Sequence, residues 1–152
     1  MTLEFQYLPF AELSVSQLYA LLQLRQEVFV VEQFCPYLDA DDKDQAAYHL
    51  LGYHTQGQLY AYARLLAPGV AYPTYATIGR VVTAPAARGQ RIGYDLMQEA
   101  LAACAHLFPG YDCKISAQAH LQHFYQRLGF VVSGKSYLED GIPHVPMVRR
   151  WS

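Results

Sequence analysis

The stretch "RVVTAPAARGQRIGYDLM", Arg80 to Met97, decides the reading of this chain. An apolar run ends near Pro85, which has no N–H to give to a sheet ladder. Two arginines and two glycines follow. Ile92, Leu96, Ala100, Ala103 and Leu107 then recur at helical spacing. The segment predicts a strand, a glycine-containing loop and a helix. That order makes an anion site, because the first N–H groups of a helix lack partners within it. The helix dipole adds about half a positive charge at the same end, and the two effects together favour phosphate. Gly89 and Gly93 let backbone come close to a ligand. Arg88 and Arg91 can fork onto phosphate oxygens. An ordinary turn with solvated arginines is the plain alternative. Neither G-x-G-x-x-G nor G-x-x-x-x-G-K-[ST] occurs, so the loop is not a dinucleotide fingerprint or a Walker loop.

Working outward, "LEFQYL" reads as a first strand and "SVSQLYALLQLRQEVFV" as a helix. Ser14 can cap that helix, with Gln17 as its capping-box partner. "YHLLGYH" and "LYAYARLL" flank "TQGQ" as a hairpin, and the second alternates with period two. "TIGRVVT" and "CKISAQA" are further strands, "HLQHFYQRL" a short helix, and "VVSGKSY" with "HVPMVRRW" a last hairpin. The order β-α-β-β-β-α-β-α-β-β predicts an α/β (α+β) domain, a mixed sheet with helices packed on it.

The chain's 152 residues suffice for one domain, and we take 1–152 as that domain. A net charge of −2 gives no case for nucleic acid or a membrane surface. No apolar run approaches the roughly 20 residues of a membrane span, and the N-terminus lacks the pattern of a signal peptide. Three cysteines without metal-like spacing suit a reducing cytoplasm and predict no metal.

A strand, "RGQRIG" and a helix, then a strand, "FYQRLGF" and a hairpin, resemble the GNAT acyltransferase superfamily. The segments "LRQEVFVVEQFCPYLDADDKD", "ATIGRVVT", "SAQAHLQHFYQRLGF" and "EDGIPHVPM" resemble its ElaA-like branch. The resemblance covers nearly the whole chain and implies a GNAT-type fold with a central sheet of about seven strands. Members carry an R/Q-x-x-G-x-G/A loop for the coenzyme A pyrophosphate. Arg88 takes its first position and Gly93 its last, but Arg91 replaces the middle glycine. The resemblance thus implies acetyl-CoA as co-substrate. Val81, Val82 and Thr83 would offer backbone to its pantetheine arm, and Arg88, Gly89, Gln90, Arg91, Ile92 and Gly93 would hold its pyrophosphate. Gln118 stands where many members have an asparagine, seven residues before Tyr125. It would bind the pantetheine or order a water, unless it only caps the short helix.

Tyr125, in the family's Y-x-x-L-G-F ending, is the expected general acid for an N-acetyl transfer by direct attack of a primary amine. A phenol with a reference pKa of about 10 can protonate a leaving thiolate without being ionised beforehand. Simple packing beside Phe124 and Phe130 is the alternative role.

On the acceptor side, Arg25, Glu32, Arg80, His120 and His144 are the weaker candidates. Asp39, Asp41, Asp42 and Asp44 suggest an acidic mouth for a cationic amine, with a solvated loop as the plain alternative. Arg64 and Arg80 would pair with these aspartates or hold a substrate carboxylate. Calcium fits poorly, since no glycine stands sixth from Asp39 and Leu50 occupies the position of the bidentate acid. Direct transfer needs no nucleophilic Cys35. The expected partner is a small-molecule or peptide amine, with a homodimer as an allowed assembly. Two other functions remain open at this stage: an acyl-homoserine lactone synthase-like acyltransferase, and an acyl-CoA-binding sensor without chemistry.

Overall fold

The computed structural model describes residues 2–151. Strands β1 (Glu4–Pro9), β2 (Tyr48–Tyr53), β3 (Leu59–Leu66) and β4 (Thr77–Thr83) form an antiparallel sheet in that order. β5 (Cys113–Gln118) pairs with β8 (Ile142–Arg149), which also receives the short β6 (Val131–Val132) and β7 (Tyr137–Glu139). There are thus eight strands in two four-stranded sheets among the described residues, where the sequence suggested one sheet of about seven.

The join between the sheets is short. Ala76 makes a parallel bridge to Cys113, with its N–H donating to the Asp112 carbonyl at 3.0 Å. The Lys114 N–H donates back to the Ala76 carbonyl at 2.9 Å. No further ladder links β4 to β5, so the two strands part beyond this point. They leave a wedge between their C-terminal halves, with backbone along the inner edge of β4 free to serve a ligand.

Helix α1 (Val15–Arg25) opens on the predicted capping box. The Gln17 N–H donates to Ser14 Oγ at 3.0 Å, and the Ser14 N–H donates to Gln17 Oε1 at 2.8 Å. Such caps stabilise a helix by about 1 kcal/mol. The sequence suggested α-helix to residue 30, but from Gln26 to Glu32 the coil widens into a π-helix. There the Gln33 N–H reaches the Val28 carbonyl, five residues back, at 3.1 Å. Val28 and Glu32 both line the wedge from this turn.

The first sheet is buried on both faces. Helix α2 (Ile92–Leu107) lays Ile92, Leu96 and Ala100 in one apolar cluster with Ala61, Ala63 and Ile78. On the other face Leu21, Leu24 and Val28 meet Leu51, Tyr62 and Val82. Ile78 and Val82 are four apart, so a regular strand would point both to one face. A β-bulge explains the switch. Tyr62 pairs with Val82 and Arg64 with Gly79, which leaves Arg80 and Val81 against Ala63 alone. Arg80 sits at φ +51°, and left-handed backbone of this kind costs a non-glycine roughly 1–2 kcal/mol.

Candidate active site

Two connected depressions meet at Thr83 and Arg88. The wedge itself is a cleft of about 580 Å³, lined by β4, the ends of β5 and β8, and the π-helical turn. The second, of about 540 Å³, lies over the start of α2 and is lined by Arg88, Gly89, Arg91, Gly93, Phe124 and Arg127.

The second depression is built from backbone. Arg91 is the N-cap of α2, and no side chain caps the helix. The Asp95 N–H returns to the Arg91 carbonyl at 3.1 Å, so the first-turn donors of Ile92, Gly93 and Tyr94 are left without helical partners. Gly89 is at φ +81°, with nothing within 4 Å of where a Cβ would stand. Arg91 is at φ +61°, a conformation that glycine adopts at no steric cost. The arginine that departs from the family loop therefore keeps the backbone shape of a glycine. Its guanidinium lies 5.2 Å from the Tyr94 ring centroid. Arg88 is already engaged: Nη1 and Nη2 donate to the two Glu32 oxygens at 2.6 and 2.7 Å. These hydrogen bonds hold the Glu32 carboxyl below its ordinary range. Glu32 is thus a partner of Arg88 rather than a free base.

One wall of the wedge is an ion-pair network, complete except at Arg64 Nε, which is buried without a hydrogen-bond partner among the described residues. Arg25 is fully buried; its Nε donates to Asp39 Oδ2 at 2.7 Å and its Nη1 to Asp44 Oδ1 at 2.8 Å. Arg64 donates through Nη1 to Asp41 and Asp44 at 2.7 and 3.0 Å, and through Nη2 to Asp41 at 2.8 Å. Arg80 donates through Nε to Asp39 Oδ1 at 2.8 Å. Burial opposes the charge on Asp41 and Asp44. Hydrogen bonds from Arg64 to Asp41, and from Arg25 and Arg64 to Asp44, outweigh it and hold both carboxyls below the usual range.

His49 backs this wall. Its Nε2 lies 2.9 Å from the Asp44 carbonyl, which can only accept, so the proton sits on Nε2. Nδ1 then accepts from the Tyr62 hydroxyl at 2.6 Å. Burial pulls the His49 pKa down, and burial pushes the Tyr62 hydroxyl well above its ordinary value. The acidic mouth suggested by the sequence is therefore neither free nor solvated at Asp39, Asp41 and Asp44. Arg25 and Arg80 hold aspartate, not an open seat for a substrate carboxylate.

The other wall comes from β5, α3 (Gln122–Gln126) and the β7–β8 hairpin. Tyr125 lines the wedge from α3 and is 7% exposed, with its ring 5.1 and 5.9 Å from those of Phe124 and Phe130. Burial alone pushes its hydroxyl up to about 12, so it stays protonated at neutral pH. Gln118 ends β5 and occupies the N-cap position of the next turn, but its side chain makes no capping bond and it lines the wedge. Val81, Val82, Thr83 and His120 line it too. His144 is buried beside Glu139, with 3.5 Å between Nε2 and Oε2. Cys35 Sγ lies 3.4 Å from the Asp140 carbonyl, and no cationic side chain lies within hydrogen-bond distance of it among the described residues.

Among the lining residues that escaped the sequence reading are Arg127 on the second depression, and Ser116, Glu139 and Asp140 on the wedge. Arg127 lies inside the "FYQRLGF" segment and could have been found there. Ser116 meets Glu139 and Asp140 only through the pairing of β5 and β7 with β8.

A sheet split beside an uncapped helix N-terminus, with a protonated phenol in the split, is what the resemblance to acyl-CoA N-acyltransferases implies. The family model described as "Acetyltransferase (GNAT) domain" matches residues 21–150. The chain belongs to the GNAT acetyltransferase family. It is 48% identical to protein ElaA of Escherichia coli (strain K12) over 149 residues, 97% of this chain and 96% of that one. Its fold matches the crystal structure of an acyl-CoA N-acyltransferase from Pseudomonas aeruginosa at 49% identity and TM-score 0.92, covering 97% of this chain and 99% of that one. It matches crystalline Escherichia coli ElaA at 47% identity and TM-score 0.91, covering 98% of this chain and all of that one. Among the described residues no helix is long and apolar enough to cross a membrane.

Proposed function

We propose that this protein transfers an acetyl group from acetyl-CoA to a primary amine by direct attack, with Tyr125 as general acid. The observation that carries the reading is the uncapped start of α2, whose free N–H groups open on a depression ringed by Arg88, Arg91 and Arg127. A pyrophosphate fits that surface: Gly89 leaves open space, and a Cβ on Gly93 would meet nothing nearer than Phe124 at 3.8 Å. Arg88 would exchange Glu32 for phosphate. The inner edge of β4 at Val81, Val82 and Thr83 would pair with the amide groups of the pantetheine arm, with Gln118 opposite.

Acetyl-CoA supplies an activated thioester. The chain's part is to align it, polarise its carbonyl and protonate the departing sulfur. A β4 backbone N–H beside the bulge is the natural carbonyl donor, since the bulge sets Arg80 and Val81 together against Ala63 and breaks the regular register there. Tyr125 holds its proton until a thiolate appears, because burial keeps the phenol neutral. All three cysteines are free and buried, which suits a reducing cytoplasm.

The test is release of free thiol from acetyl-CoA by purified protein against a panel of amines. Amine-dependent release supports the enzyme. Tight coenzyme A binding with no turnover on any amine favours the sensor. Turnover only with an acyl carrier and S-adenosylmethionine favours the lactone synthase-like reaction.

A further inference from the structure

Resting on that transfer reading, we propose that Arg80 is a positioning residue: its guanidinium, gripped by Asp39 and Asp41, keeps β4 left-handed at the bulge and so aims a β4 N–H at the thioester carbonyl. The side chain acts through its own backbone and not by touching the substrate.

The conformation is unusual for this residue type. Among the described residues five non-glycines have positive φ, and of these Arg80 alone lies within a strand. It is the first of the two residues set against Ala63. A left-handed residue at that place in a bulge is ordinarily glycine, which adopts it at no steric cost. Local preference does not choose this shape for an arginine.

Packing asks for a bulge but not for this form of it. Ile78 and Val81 pack with the cluster on the α2 side of the sheet, and Val82 with the cluster on the α1 side. Strict alternation would put Val82 with Ile78 and send Val81 to the opposite face. One extra residue in β4 corrects the count. A bulge whose first residue is right-handed supplies the same count, so the left-handed angle needs a separate cause.

The grip on the guanidinium supplies one. Arg80 Nε donates to Asp39 Oδ1 at 2.8 Å, and Nη2 donates to the Asp39 carbonyl at 3.0 Å and to Asp41 Oδ2 at 3.5 Å. Each acceptor residue is itself held. Fully buried Arg25 donates to Asp39 Oδ2 at 2.7 Å and to the Asp39 carbonyl at 3.2 Å. Arg64 donates to both Asp41 oxygens. The ion pairs run in a ring from Arg25 through Asp39, Arg80, Asp41, Arg64 and Asp44 back to Arg25. Arg80 is the member of that ring on β4, so its side chain ties the bulge to a frame spanning α1, β3 and residues 39–44. Val81, Val82 and Thr83, the residues next along β4, line the wedge.

The test needs no acceptor amine. Acetyl-CoA is compared by calorimetry with S-ethyl-CoA, which has the same chain without the carbonyl oxygen. The ratio of the two affinities is read, so a general weakening of the site cancels. The parent is expected to bind acetyl-CoA about fivefold or more tighter, the share of one hydrogen bond to the carbonyl. Glycine enters the left-handed region freely, asparagine less freely and alanine poorly. Arg80→Gly is therefore expected to keep most of the preference, Arg80→Asn part of it, and Arg80→Ala little. If circular dichroism shows Arg80→Ala unfolded, the order of Arg80→Gly and Arg80→Asn decides. Equal ratios in the folded variants overturn the inference: equally high, the bulge keeps its shape untethered; equally low, the guanidinium itself is what the carbonyl site needs. A parent without preference for acetyl-CoA also overturns it and leaves coenzyme A binding standing. If neither compound binds, the transfer reading fails and this inference with it.

Discussion

On one side of the wedge, Asp39, Asp41 and Asp44 meet Arg25, Arg64 and Arg80 in hydrogen-bonded ion pairs. On the other, Glu139, Ser116 and His144 meet with no arginine or lysine in range among the described residues. Both walls are acidic by composition. The first has spent its charges internally. It pins residues 39–44 to β3 and β4, and it holds Arg80 at the bulge that opens β4. The second keeps Glu139 with His144, at 3.5 Å, as its nearest ionisable partner. Acidity in the sequence therefore has two outcomes, a paired carboxylate and an unpaired one, and what separates them is whether a guanidinium is within reach.

The largest expected effect comes from breaking the paired wall. Asp44→Ala leaves Arg25 buried with one carboxylate partner fewer, and loss of one member of a buried pair costs about 3–5 kcal/mol. Urea unfolding of the variant should show its midpoint lowered accordingly. An unchanged midpoint would mean the network is not what holds this wall.

Next is the open wall. Tyr125→Phe should lower turnover by about 10²-fold while coenzyme A affinity stays the same. Equal kcat at saturating substrate removes Tyr125 from the chemistry.

Acid separates the walls more gently. Asp41 and Asp44 have carboxyl pKa values held below the usual range in the folded chain. Such groups contribute stability that is complete above the unfolded value of about 3.9 and is lost as pH falls through the lower, folded values. Thermal unfolding should therefore show a Tm insensitive to these groups from pH 7 to about 5 and falling below about pH 4. Asp41→Asn should flatten that acid limb.

The smallest effect concerns the contact between Glu32 and Arg88, which competes with phosphate for one guanidinium. Both side chains are half exposed, so water screens the pair and it adds little to stability. Glu32→Gln should tighten coenzyme A binding by a few-fold, read by calorimetry. Weaker binding would make Glu32 part of the seat rather than a competitor for it.

The comparison also explains what the sequence could disclose. The loop at 88–93 was legible because glycine, arginine and a helical stripe lie next to one another, and local physics suffices to read them. Ser14 with Gln17 was legible for the same reason. The bulge was not, since Arg80 carries no sign of a left-handed backbone and period two reads straight through it. The residue types of the charge network were visible, but its pairings span 14 to 41 positions and depend on how the 33–47 segment folds back. Ser116 and Glu139 looked like ordinary strand and turn residues. They become neighbours of His144 only when β8 pairs with β5 on one side and β7 on the other. The π-helical turn was hidden because its apolar spacing passes for an α-helix.

The most direct test of the account is a crystal structure of the protein with coenzyme A. We expect the pyrophosphate on the N–H groups of Ile92, Gly93 and Tyr94, Arg88 turned from Glu32 to phosphate, and the sulfur within reach of the Tyr125 hydroxyl. A ligand bound elsewhere, with Arg88 still on Glu32 and the start of α2 bare, would contradict it.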